Sequence, residues 1–84
     1  MITYSRHSKR RMKLYNISKD DVELVVNKGE SKMLADGKIA FMFNISDKFK
    51  YPIKVVAAGD LESLEIVTAY PLKKGIGKNE SNIR

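Results

Sequence analysis

The chain has no cysteine and a single histidine among its 84 residues. Disulfides and thiolate metal sites are therefore excluded, and one imidazole cannot build a histidine cluster, so neither a metal nor another cofactor is expected. Long apolar runs are missing too. None approaches the roughly 20 residues of a membrane span, and the opening Met-Ile-Thr-Tyr-Ser-Arg-His lacks the apolar stretch of a signal peptide. No membrane partner and a cytoplasmic location are the resulting expectations. There is no internal repeat and no separate linker. What is present, 43% hydrophobic residues, suffices for one small core. The expected organisation is a single domain over 1–72, followed by a basic, mobile tail over 73–84.

Sixteen Lys and Arg against ten Asp and Glu leave a net charge of +6. In so short a chain this excess favours an anionic partner: nucleic acid, a phosphate-bearing ligand or an acidic protein. The bland alternative is solubility alone. The charge is also uneven. Basic residues gather in 6–13 and again in 73–84, whereas Asp20, Asp21, Glu23 and Asp60, Glu62, Glu65 carry most of the acid.

The first basic cluster, Ser5-Arg6-His7-Ser8-Lys9-Arg10-Arg11-Met12, holds the histidine and three arginines. At about 100° per residue, Arg6, Lys9, Arg10 and Lys13 fall on one side of a helix and Ser8, Met12 and Tyr15 on the other. The first group reads as a solvated stripe and the second as the packing face. His7 and Arg11, one turn apart, lie at the seam between them, where a side chain can be held by neighbours and still reach a ligand. The alternative is a helix residue with a satisfied ring beside an ordinary surface cation.

Ile2 to Tyr4 reads as a short extended lead-in, Ser5 as the N-cap of this helix and Asn16 as a left-handed stop near its end at Tyr15. A second helix follows with Ser18 as cap, Asp20 and Asp21 in its first turn, Ile17 stapled onto Val22, a stripe of Val22, Val25 and Val26, and Gly29 as a left-handed cap. Together the two helices predict an αα-hairpin. Beyond Lys32 the period becomes 2. Met33 to Ala35 leads through the Asp36-Gly37 turn into a strand over Lys38 to Ser46, with Ile39, Phe41, Phe43 and Ile45 on one face. Ile53 to Ala58, apolar on both faces, predicts a central strand, and Leu64 to Tyr70 a fourth. The fold class is thus α+β, an N-terminal αα-hairpin on a four-stranded, mainly antiparallel sheet.

Ser5-x-His7-x-x-x-Arg11-Met12, Ile17-Ser18-x-x-Asp21-Val22, Gly29-Glu30, Val55-Val56 and Ile66-Val67-Thr68-Ala69-Tyr70 together resemble the small prokaryotic family known as domain of unknown function 4258, over residues 2–71. Such domains are in turn similar to the compact RelE-like and BrnT-like toxins, which cut RNA without metal. The resemblance implies an endoribonuclease with RNA as substrate and a small acidic antitoxin as partner. RNA cleavage needs a base for the 2′-hydroxyl, cations for the phosphorane-like transition state and an acid for the leaving oxygen. His7 is the best base, since a free imidazole exchanges a proton near neutral pH. Arg11, with Arg10 or Arg6, would stabilise the developing charge. Tyr70, or Lys73 and Lys74, would stack on a base, grip a phosphate or donate the proton. Tyr4 and Tyr51 are weaker stacking candidates. With no second histidine, the partner in proton transfer has to be Lys, Arg or Tyr. The rival expectation is a module of the same fold that binds RNA, DNA or a protein and breaks no bond.

Overall fold

The computed structural model describes residues 1–60 and 62–72. The expected tail over 73–84, with Lys73 and Lys74, lies outside them. The order is β1 (Ile2–Tyr4), α1 (Arg6–Tyr15), α2 (Lys19–Lys28), β2 (Glu30–Met33), β3 (Ile39–Phe43), β4 (Ile53–Asp60) and β5 (Ser63–Pro71).

Both helices start where the chain supplies a cap. Ser5 Oγ accepts from the Ser8 N–H at 3.0 Å, and α1 stops at left-handed Asn16, with φ 58°. At α2 the capping box is complete: Ser18 Oγ accepts from the Asp21 N–H, and Asp21 Oδ2 accepts from the Ser18 N–H at 2.9 Å. Ile17 and Val22 are both buried in the core. Lys48 closes this end by donating to Asp21 Oδ2 at 2.7 Å. Burial pushes the Asp21 carboxyl up, but Lys48 and the Ser18 hydrogen bonds outweigh it and hold the group below the usual carboxylate range.

Among the described residues the sheet has five strands, not four, in the order β1-β5-β4-β3-β2, and it is mixed. The lead-in Ile2–Tyr4 joins it as an edge strand parallel to β5, with Tyr4 opposite Ile66. Three residues are too few for alternation to be read, so this strand exists through its partner rather than its own pattern. β4 is central, as its apolar run predicts. The Asp36-Gly37 turn forms, with Gly37 at φ 77°, but β2 begins at Glu30, well before Met33. β3 ends at Phe43, and Ile45 is buried from a turn whose N–H groups at Lys48 and Phe49 donate to its carbonyl.

Gly29 is not a left-handed cap. Its backbone is extended, at φ −80° and ψ 169°, so glycine is needed here for room: a Cβ would run into the carbonyl oxygens of Met42 and Val25. α2 lies over β3 and β4, while α1 lies along β5. Between helices and sheet sit Met12, Val22, Val25, Phe41, Ile53, Val55, Ile66 and Ala69. Among the described residues no helix is long and apolar enough to cross a membrane.

A candidate site between helix α1 and strand β5

In β5 the alternation breaks once. Thr68 stands opposite Val56 and Ile66 opposite Ala57, which leaves Val67 with no partner on β4: a β-bulge. Without it, Ile66, Thr68 and Tyr70 would share a face. With it, Ile66 and Ala69 both enter the core, and Thr68 and Tyr70 turn to the other side, in register with Val56 and Lys54. The bulge therefore re-aims two polar side chains.

The same bulge anchors α1. The Ser5 N–H donates to the Ile66 carbonyl at 3.0 Å, and Ser5 Oγ donates to the carbonyl of the bulged Val67 at 3.1 Å. Ser8, wholly buried, donates through Oγ to the Ser5 carbonyl at 2.7 Å. Cap and bulge thus form one hydrogen-bonded unit. It fixes the first turn of α1 beside the outward-turned part of β5, past the stretch Leu64–Ile66 that pairs with β1.

His7, Arg11 and Tyr15 follow at i, i+4 and i+8, one stripe along α1. With Thr68 and Tyr70 they line an open groove of about 250 Å³. His7 is exposed, and the other four are half-buried. None of these side chains makes a hydrogen bond or ion pair with a described residue. Among the described residues the one buried side-chain polar atom without a partner is Tyr4 Oη, so the polar ends in the groove reach water. None of the five is a carboxylate, and the groove presents a guanidinium, an imidazole and three hydroxyls.

Of the residues singled out from the sequence, His7, Arg11 and Tyr70 come together here. Arg6 and Arg10 are exposed on the outer stripe with Lys9 and Lys13, and among the described residues none of these four is in an ion pair. Lys73 and Lys74 lie outside the described residues. Tyr4 is elsewhere: it packs on the core, with Lys19 Nζ 5.3 Å from its ring centre. Burial first, then the charges of Glu23 and Asp20, push its phenol up. Tyr51 does not line the groove either; Lys50 Nζ stands 5.7 Å from its ring centre. Sequence reasoning missed Tyr15 and Thr68. Tyr15 was findable from the i+4 spacing after Arg11, whereas Thr68 depends on a bulge with no signature in Glu65-Ile66-Val67-Thr68. Lys54 stands opposite Tyr70 on the same face of the sheet but does not line the groove.

In comparisons with known families, with curated proteins and with solved structures, nothing matches this chain.

Proposed function

We propose that this chain is a metal-independent endoribonuclease related to the family of unknown function 4258 and, more distantly, to the RelE-like and BrnT-like toxins. The observation that carries the reading is the convergence of His7, Arg11 and Tyr70 on one open groove beside a cationic stripe that, among the described residues, is in no ion pair. In the proposed reaction His7 accepts the proton of a ribose 2′-hydroxyl. The 2′-oxygen attacks the adjacent phosphorus, and Arg11 hydrogen-bonds the non-bridging oxygens as their charge grows. As the bond to the 5′-oxygen breaks, Tyr70 donates its phenolic proton to that oxygen. The products are a 2′,3′-cyclic phosphate and a 5′-hydroxyl, and solvent returns His7 and Tyr70 to their starting states. Arg6 and Arg10 draw the RNA backbone towards the groove. A small acidic antitoxin is the regulatory partner this reading implies.

A second reading, RNA binding without cleavage, is favoured by one observation. No described residue hydrogen-bonds the His7 ring, whereas a general base is ordinarily oriented by a neighbour. One experiment separates the two. Purified protein in excess chelator is expected to cut single-stranded RNA and leave a 2′,3′-cyclic end. A 2′-deoxy substitution at the cut, or His7→Ala, is expected to abolish cleavage with binding retained. Binding at low salt with no cleavage by the wild type selects the second reading, and no binding at low salt removes both.

A further inference from the structure

Strand β2 ends the sheet on the side away from the groove, and all four of its residues are exposed. Its hydrogen-bonding direction is legible from the hairpin. The Leu34 N–H donates to the Lys38 carbonyl at 2.7 Å, so Leu34, Lys32 and Glu30 are the positions that bond to β3. The alternation of an antiparallel ladder then turns the N–H and C=O groups of Ser31 and Met33 outward, with no strand of the described residues beyond them. Side chains alternate as well. Glu30 and Lys32 share the helix-free face with Met42 and Ala40, while Ser31 and Met33 share the helix face with Phe41 and Ile39. There Met33, 68% exposed, helps to line an apolar recess of about 440 Å³ beside the strand.

We infer that β2 is a self-pairing edge: two copies of this chain join β2 to β2 in antiparallel fashion about a two-fold axis through Ser31. Three observations single out this occupant and this register. First, outward-bonding residues must face outward-bonding residues, so the axis passes through a residue and not between two. Second, charge decides which residue. An axis at Lys32 would oppose two lysines and one at Glu30 two glutamates. At Ser31, Glu30 of each copy faces Lys32 of the other, and among the described residues neither Glu30 nor Lys32 has an ion-pair partner within its own chain. Third, an axis at Ser31 keeps Glu30, Ser31 and Lys32 of each copy paired within the two strands, with Met33 opposite Gly29, and the two apolar recesses then flank it on one face. Short length and a lysine can blunt an edge against promiscuous pairing. Here the same lysine is complementary to a glutamate two positions away, which blocks other registers and permits this one. The groove is three strands away from β2, so the paired sheet holds its two grooves roughly 30 Å apart and neither completes the other. The inference does not depend on the proposed cleavage.

Analytical ultracentrifugation of the full chain tests it, with circular dichroism as the folding control. The wild type is expected to dimerise reversibly. Ser31→Pro removes an outward N–H that β3 does not use, and is expected to leave a folded monomer. Glu30→Lys opposes like charges and is expected to raise the dissociation constant about tenfold or more. The double exchange Glu30→Lys with Lys32→Glu restores both pairs and is expected to restore the dimer. A wild type that stays monomeric at high concentration overturns the inference, as does a dimer insensitive to Ser31→Pro or a charge exchange that fails to rescue. In the first case the edge is left to a strand from another protein.

Discussion

Helices α1 and α2 are each ten residues long and each is capped by a serine, yet they spend their first turns in opposite ways. The α2 turn carries Asp20 and Asp21, which suit the positive end of the helix dipole, and Asp21 is also tied to Ser18 and Lys48. The α1 turn carries no acid. It runs Arg6-His7-Ser8-Lys9, and Arg10 and Arg11 follow in the next turn, against the dipole and against one another. An oriented dipole makes such an arrangement mildly destabilising, by a few tenths of a kcal/mol per charge. The fold accepts this cost at the helix that borders the groove and avoids it at the helix that does not. One helix is charged for stability, and the other for presenting cations.

The largest expected effect that would break this contrast is at Arg11. If the guanidinium acts on the phosphate, Arg11→Ala lowers kcat for RNA cleavage about 10²- to 10³-fold, the usual loss for one donor to a developing oxyanion. Thermal or urea unfolding should move by no more than about 0.5 kcal/mol, since the substitution removes a cation repelled by its neighbours and inserts a better helix former. Should Arg11→Ala instead unfold the domain and leave the residual native fraction fully active, α1 would be an ordinary structural helix and the contrast would vanish.

The contrast is partly legible in the sequence. Ser5, Asn16, Ser18 and the Ile17–Val22 staple are local devices, each written in a few adjacent residues, and they mark both helices correctly. The seam position of His7 and Arg11 follows from periodicity alone. What could not be read depends on partners distant in sequence. β1 exists because β5 offers it an edge, and Gly29 is glycine because the Met42 carbonyl passes close to it. Above all, the bulge at Val67 leaves no mark in composition, yet it decides that Thr68 and Tyr70 face the groove. The helical half of the site is local physics, and the strand half is a property of register.

A smaller effect sharpens the α2 side. Asp21 is held below the usual carboxylate range in the folded chain, so the stabilisation it brings is fully present above about pH 4 and is lost as pH falls through its folded value. Asp21→Asn keeps the shape but removes the charge that faces Lys48 and weakens the capping box. A loss of about 1–2 kcal/mol at neutral pH is expected, with a flatter acid limb in a plot of stability against pH. RNA cleavage per folded molecule should not change. An unchanged acid limb would mean that other carboxylates govern acid unfolding and that α2 is not the stability-bearing helix.

The smallest effect is also the most specific to α1. Cations that neutralise RNA phosphates release counterions, so the logarithm of affinity falls with the logarithm of salt concentration, by about 0.7 per phosphate contacted on a single strand. Arg6 and Arg10 are exposed and, among the described residues, unpaired, and so is Lys28 in the last turn of α2. Net charge changes equally when any one of the three becomes Gln, so a merely diffuse attraction would shift all three salt slopes alike. If RNA lies along α1, Arg6→Gln and Arg10→Gln each lower the slope by somewhat under one contact, whereas Lys28→Gln leaves it where it was. Equal shifts from both helices would reduce the basic stripe to a contribution to solubility. A shift confined to α1 would instead tie the unfavourable charges of its first two turns to the path of the RNA.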